Sequence, residues 1–208
     1  MNLIDSTTRT VRVAALSGGV SSPSSTRRLV DHLTGAVERQ LRAHGHRVRT
    51  DVVELREYAE DATAVMIGAD VSDRLREVFD LIGRADVLVV GTPVFRGSYT
   101  GLLKTFLDVI DTGAVAGKPV LLAATGGSLR HALVVDHELR PLFAFFRAAT
   151  APTGVFATQE DCATEFRPDT ELEARIERAA VEVVALADAR PAVGEVSSSV
   201  AVRAVGAA

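Results

Sequence analysis

The stretch SGGVSSPSST (residues 17–26) lies between an apolar run, Val11–Leu16, and a long helical pattern. It crowds four hydroxyl side chains, Ser22, Ser24, Ser25 and Thr26, into five positions. Ser22 and Pro23 read as an N-cap and a first helical residue, which puts Ser24, Ser25 and Thr26 in the first turn. Backbone N–H groups there have no intrahelical partner, and the helix dipole favours an anion. Capping accounts for one serine, whereas four hydroxyls beside free amides suit a phosphate. The loop is not followed by the Gly-Lys-Ser/Thr of a nucleoside-triphosphate loop, and Gly18-Gly19 lacks the G-x-G-x-x-G spacing of a dinucleotide loop.

Two other loops share this character. GTPVFRGSYTG (91–101) combines Pro93 and Gly97, which restrict and tighten the backbone, with the aromatic residues Phe95 and Tyr99 and one cation, Arg96. Such a loop can offer a flat apolar platform, backbone amides at short range and a guanidinium for a phosphate or a pyrimidine carbonyl. An isoalloxazine ring requires that combination; a tight strand-to-helix connection with core aromatics would share it. ATGGSLR (124–130) carries Thr125, Gly126, Gly127 and Ser128, which permit close approach of backbone to a ring or simply form a turn. A hydroxyl-lined loop without lysine favours a terminal monophosphate over a pyrophosphate, and FMN carries such a group.

These loops need a scaffold that brings them together. Val11–Leu16 reads as a first strand. Leu29, Leu33, Val37 and Leu41 mark a helix capped at Gly45, and Val48, Val52 and Val53 suggest a second strand. Residues 56–70 suit a loop with a short helix. Leu75, Val78, Phe79 and Ile82 form a helical stripe closing at Gly83, and Val87–Val90 is a continuous apolar run, as in a strand buried on both faces. A helix through Leu102–Ile110, a fourth strand in GKPVLLAATGG, a long helix from about His131 to Arg147, a fifth strand in TAPTGVFAT and a helix over Glu171–Asp188 complete the alternation. Alternating strands and helices imply a parallel sheet covered on both sides, with ligands beyond the carboxyl ends of the strands. The three loops follow strands one, three and four, which is where that rule places a site.

Composition narrows the class. With 208 residues, 47% hydrophobic and 24% charged, the chain suits one soluble α/β domain over residues 1–188 and a flexible tail over 189–208. A net charge of −4 leaves no footprint for nucleic acid, and no apolar run reaches the length of a membrane span. One cysteine, Cys162, and a polar N-terminus point to the cytoplasm, with Cys162 a bystander thiol. His131, Asp136, His137 and Glu138 lack the i, i+4 histidine pair of a helical zinc site, so no metal is expected. Pro141 deprives the His137 carbonyl of its helical partner, leaving either a proline kink or a local π turn near His137.

Together the three loops resemble the NADPH-dependent FMN reductases of the flavodoxin-like fold. Within them, the stretches TPVFRGSYTGLLKTFLD and ATGGSLRHALVVDHELRPLF are similar to the alkanesulfonate-type branch that supplies reduced flavin to two-component monooxygenases. The chain departs from the family in Gly19, where many relatives carry serine, and in Phe95, which replaces a frequent tyrosine. The resemblance implies a three-layer sandwich with a five-stranded parallel sheet in the order 2-1-3-4-5. It implies FMN phosphate on Ser24, Ser25 and Thr26, the flavin ring along Thr92, Pro93, Val94, Phe95, Arg96 and Gly97, and its pyrimidine end bordered by Thr125, Gly126, Gly127 and Ser128. Hydride would pass from NADPH or NADH to FMN with no catalytic side chain, since solvent can exchange the flavin protons. Arg96 and Arg130 are candidates for contact with a 2′-phosphate. The partner implied is a flavin-dependent monooxygenase. With LFAFF (142–146), which core packing would explain equally well, the resemblance implies a homodimer or homotetramer, and many relatives carry a π turn in this helix at a subunit interface, which would place His137 there. The rivals are an FMN-bound quinone or azo reductase and a non-enzymatic flavodoxin-like electron carrier.

Overall fold

The computed structural model describes residues 9–158, 160–162 and 167–190. Its strands are β1 (Thr10–Ser17), β2 (Arg47–Glu54), β3 (Val87–Pro93), β4 (Pro119–Gly126), β5 (Ala149–Thr150) and β6 (Val155–Thr158), and its helices α1 (Ser25–Ala43), α2 (Ala59–Met66), α3 (Asp73–Arg84), α4 (Gly101–Val109), α5 (Arg140–Phe145) and α6 (Thr170–Ala189). All pairings are parallel, in the order β2-β1-β3-β4-β5, with β6 also on β4. The doubly covered sheet is therefore the one the alternation predicts. Because successive strand residues face opposite sides, Val13, Ala15, Val87, Val89, Leu121 and Ala123 pack beneath α1 and α6. Ala14, Leu16, Leu88, Val90, Val120 and Leu122 pack beneath α2–α5, where Phe79 and Phe106 meet edge to face at 5.5 Å.

Leu29, Leu33, Val37 and Leu41 are all buried on α1, and Gly45 ends that helix at φ +84, a conformation glycine adopts cheaply. Three expectations change. The fifth strand is two short strands, both on β4, separated by Pro152, which has no N–H, and Gly154, where a Cβ would lie 2.4 Å from Val135 Cγ1. Arg140 fills the gap by donating to Ala151 O, Pro152 O and Thr150 Oγ1, each at 2.9 Å.

The helix from His131 to Arg147 is not continuous either. A 3₁₀ turn at Leu129–His131 leads to a π turn at Val135–Leu139 and then to α5. Arg140 N–H reaches back five residues to Val135 O, the widened bonding that defines a π turn, and His137 is exposed within it.

Helix α3 runs one residue past Gly83 and ends on a side chain the sequence does not flag. Lys118 is buried and donates to Gly83 O (2.8 Å) and Ala85 O (2.6 Å). Burial, and then repulsion from Arg190, push its ammonium down to about 8 against the opposing pull of Asp86. Helix α6 extends through Ala189, and the tail expected beyond it lies outside the described residues from 191 onward.

Candidate functional site

The C-terminal ends of β1, β3 and β4 meet where strand order reverses, and their loops converge there as the topology requires. A cleft of about 120 Å³ opens between them. Of the expected residues, Ser24, Ser25, Thr26, Pro93, Val94, Phe95, Thr125, Gly126 and Gly127 line it, joined by Gly19, Val20 and Ser21. No charged side chain is among them.

The first loop is arranged differently from its expected capping. Ser24, not Ser22, is the N-cap: it has extended backbone, and its Oγ accepts from Arg27 N–H at 3.2 Å. Pro23 therefore lies outside the helix, and Ser25 and Thr26 are its first two residues. Their N–H groups belong to the set that a helix cannot satisfy internally, and both residues face the cleft. Ser24 spends its oxygen on the cap, so its hydroxyl proton is what it can still give. A Cβ at Gly19 would sit 2.0 Å from Ser24 Oγ, so glycine there lets the loop fold onto the cap. Among the described residues, one buried side-chain oxygen has no partner, Ser17 Oγ at the end of β1 beneath this loop.

A contact between loops one and three ties the cleft together. Thr26 Oγ1 and Thr125 Oγ1 lie 2.7 Å apart, both buried, though the residues are 99 apart in sequence. The resemblance puts Thr125 at the pyrimidine end, but its hydroxyl stands against Thr26 at the helix terminus. Two hydroxyls sharing one hydrogen bond leave one O–H free to donate.

The second loop is braced from within. Thr92 is fully buried; its hydroxyl donates to Pro93 O (3.1 Å) and accepts from Thr100 N–H (3.2 Å), and the residue does not line the cleft. Val94 N–H is spent on Thr125 O (2.7 Å) and Phe95 N–H on Ser98 O (2.9 Å), so the expectation that these amides face a ligand is corrected. Phe95 and Ser98 exchange both backbone bonds, which closes a two-residue turn with Arg96 at φ +53 and Gly97 at φ +87. The Arg96 and Gly97 amides, at the tip, keep no internal partner among the described residues. Holding a non-glycine residue in that region costs about 1–2 kcal/mol. Phe95 is 49% exposed and offers its ring to the cleft, whereas Tyr99 packs on the core. Ser98 Oγ donates to Glu138 Oε2 at 3.0 Å, tying the turn to the π turn. Ser128 is half-buried beyond the lining residues, and Arg130 is exposed.

Cations near the helix terminus are already engaged. Arg27 pairs with Asp31 and Glu54, each at 2.8 Å, and Arg56 with Glu54 at 2.8 Å. Burial works against the Arg27 charge, but the two carboxylates outweigh it and hold its pKa above the usual value. Cys162 lies away from the cleft lining. Burial, and then the Asp161 charge, push its thiol up to about 12, against a smaller pull from Arg28.

This donor set fits a flavin monophosphate in kind, with hydroxyls and helix-terminal amides at one end and the half-exposed Phe95 at the other; Arg96 and Gly97, expected along the ring, lie outside the lining. The sequence does not single out Val20 and Ser21; an apolar residue at the tip of a hydroxyl-rich loop is the signal that could have done so.

Comparison with known proteins points the same way. The family described as NADPH-dependent FMN reductase matches residues 11–162. The chain is similar to the NADH-dependent FMN reductase SfnE of Pseudomonas putida, with 44% identity over 85% of this chain and 92% of that one. An FMN reductase (NADPH) of Pseudomonas aeruginosa shares 44% identity over 81% of this chain and 88% of its own length. The solved structure of an oxidoreductase from Corynebacterium diphtheriae superposes with a TM-score of 0.81 at 41% identity, covering 88% of this chain and 99% of that one.

Proposed function

The chain belongs to the NADPH-dependent FMN reductase family, and from that premise we propose that it passes hydride from a reduced nicotinamide nucleotide to FMN and hands the reduced flavin to a separate monooxygenase. The observation that carries the reading is one cleft, free of charged side chains, built by three strand-end loops. FMN supplies the hydride acceptor when bound.

The chain's own residues do the positioning. Ser25 and Thr26 hold the phosphate through hydroxyls and helix-terminal amides, and Thr125 fixes Thr26 from the facing loop. Phe95 gives the ring an apolar platform, and the Phe95–Ser98 turn sets its distance from β3. Holding two flat reactants at stacking distance is the main work such a site has to do. An acidic side chain is not needed, because solvent delivers the flavin protons.

Release of flavin is supported by the same chemistry. A helix N-terminus contributes about 0.3–1 kcal/mol toward an anion at an exposed site, while Arg27 and Arg56 are already neutralised by Asp31 and Glu54. The phosphate is then held by hydroxyls and amides without an ion pair, which leaves its release to the strength of those hydrogen bonds. Among the described residues no helix is long and apolar enough to cross a membrane, and we place the protein's work in the cytoplasm. Leu133 and Phe145, both exposed on either side of the π turn, support a homo-oligomer.

Steady-state NADPH and NADH oxidation with FMN, FAD or a quinone as sole acceptor tests the reading. Turnover that saturates with added FMN is expected. Turnover with quinone and none with FMN would contradict it, and no oxidation with any acceptor would favour an electron carrier.

A further inference from the structure

The two ends of the cleft differ in their cations. At the helix terminus Arg27 and Arg56 are paired with carboxylates. At the opposite rim Arg96 is exposed, forms no ion pair among the described residues, and occupies a left-handed position at the tip of a turn that needs φ above zero at both central residues. Asparagine or glycine suits such a turn without strain, so an arginine there carries a backbone cost. The turn is rigid, closed by two backbone bonds of 2.9 and 3.2 Å, and Phe95 beside Arg96 lines the cleft. The carboxylate that engages this turn, Glu138, accepts from Ser98 Oγ. A cation with no ion pair among the described residues therefore stands on a bonded turn at the rim of the cleft, outside its lining.

NADH and NADPH present the same nicotinamide and the same pyrophosphate to such a site. They differ only in the 2′-phosphate on the adenosine ribose, so discrimination needs a cation outside the stacking zone. A guanidinium matches phosphate oxygens with two parallel donors. We infer that Arg96 binds the 2′-phosphate and makes this chain favour NADPH over NADH. The inference rests on the reductase reading and names the residue that selects its reductant.

The test compares the full-length protein with Arg96→Ser, Arg96→Lys and Arg130→Ser variants. Isothermal titration gives the Kd for NADP⁺ and for NAD⁺, and kcat/KM is measured for NADPH and for NADH. The expected result is a parent that prefers the phosphorylated nucleotide, with Arg96→Ser lowering both preference ratios by about tenfold, the size of one charge-assisted contact. Arg96→Lys retains part of the preference, and added salt erodes NADP⁺ binding more than NAD⁺ binding. Ratios within about twofold of the parent in Arg96→Ser, a parent that prefers NAD⁺, or a loss confined to Arg130→Ser would each overturn the inference. A parent that oxidises neither nucleotide with FMN would instead defeat the reductase reading.

Discussion

The buried pair Thr26–Thr125 separates holding the fold from holding the ligand. Its hydroxyls lie 2.7 Å apart and share one hydrogen bond, leaving one O–H to give to a phosphate. Thr125→Val removes one partner and strands the Thr26 hydroxyl in a buried position. The protein without flavin should lose about 1–3 kcal/mol, the cost of an unsatisfied buried polar group. FMN affinity should change little, because the stranded hydroxyl can donate to the phosphate instead. The double variant Thr26→Val, Thr125→Val replaces both partners with groups of the same shape, so stability should return to within about 1 kcal/mol of the parent. It also removes the free O–H, and a hydrogen bond to a charged group contributes about 1.5–3 kcal/mol. FMN affinity should therefore fall roughly tenfold to a hundredfold, while riboflavin affinity stays nearly constant. Urea unfolding and flavin-fluorescence titration measure the two effects. Equal losses for FMN and riboflavin in the double variant, or full FMN affinity there, would refute the assignment of this end to the phosphate.

Other consequences follow from packing and titration. Gly91→Ala puts a Cβ 2.5 Å from Val30 Cγ2 and pushes α1 off the sheet; overpacking of this kind costs about 1–3 kcal/mol, read as a lower urea midpoint. Cys162, with its thiol raised to about 12 and buried, should not react with a thiol reagent at neutral pH until the protein unfolds. Lys118 titrates near 8 when folded against 10.5 ordinarily, so between those values the unfolded chain binds more protons and stability rises with pH. The gain is complete by about pH 10.5 and amounts to at most about 3 kcal/mol; Lys118→Met should remove this rise from the stability–pH curve. Asp188 accepts from His44 (2.7 Å) and His46 (3.0 Å). Burial opposes ionisation, but the two histidines hold its carboxyl below the usual value. The clamp it forms across α1 and α6 should weaken as pH falls through that lowered value, and Asp188→Asn should flatten the acid limb of the unfolding curve.

The fold is legible because its signals are local and repeated. Stripes such as Leu29, Leu33, Val37 and Leu41, and runs such as Val87–Val90, report burial directly through their period. The location of the cleft follows from topology alone, since only the loops after strands one, three and four meet at the reversal of strand order. What stayed hidden depends on partners distant in sequence. Thr26 meets Thr125 and Lys118 meets Gly83 only once the sheet has formed. The cap moved from Ser22 to Ser24 because several adjacent residues had equal capping chemistry, and composition does not rank them. The Val94 and Phe95 amides read as free because a loop rich in proline and glycine does not reveal which of its N–H groups bond inward. The divided fifth strand likewise depends on Arg140 reaching backbone carbonyls that lie outside the sheet pairing.

In the proposed reaction FMN enters the cleft, is reduced and leaves. Anaerobic mixing of the protein with excess NADPH and a many-fold excess of FMN over chains measures this through the bleaching of the flavin absorbance. The whole FMN pool should be bleached at a rate proportional to the protein present. Bleaching that stops at one flavin per chain would contradict it and assign the cleft to a tightly held prosthetic group.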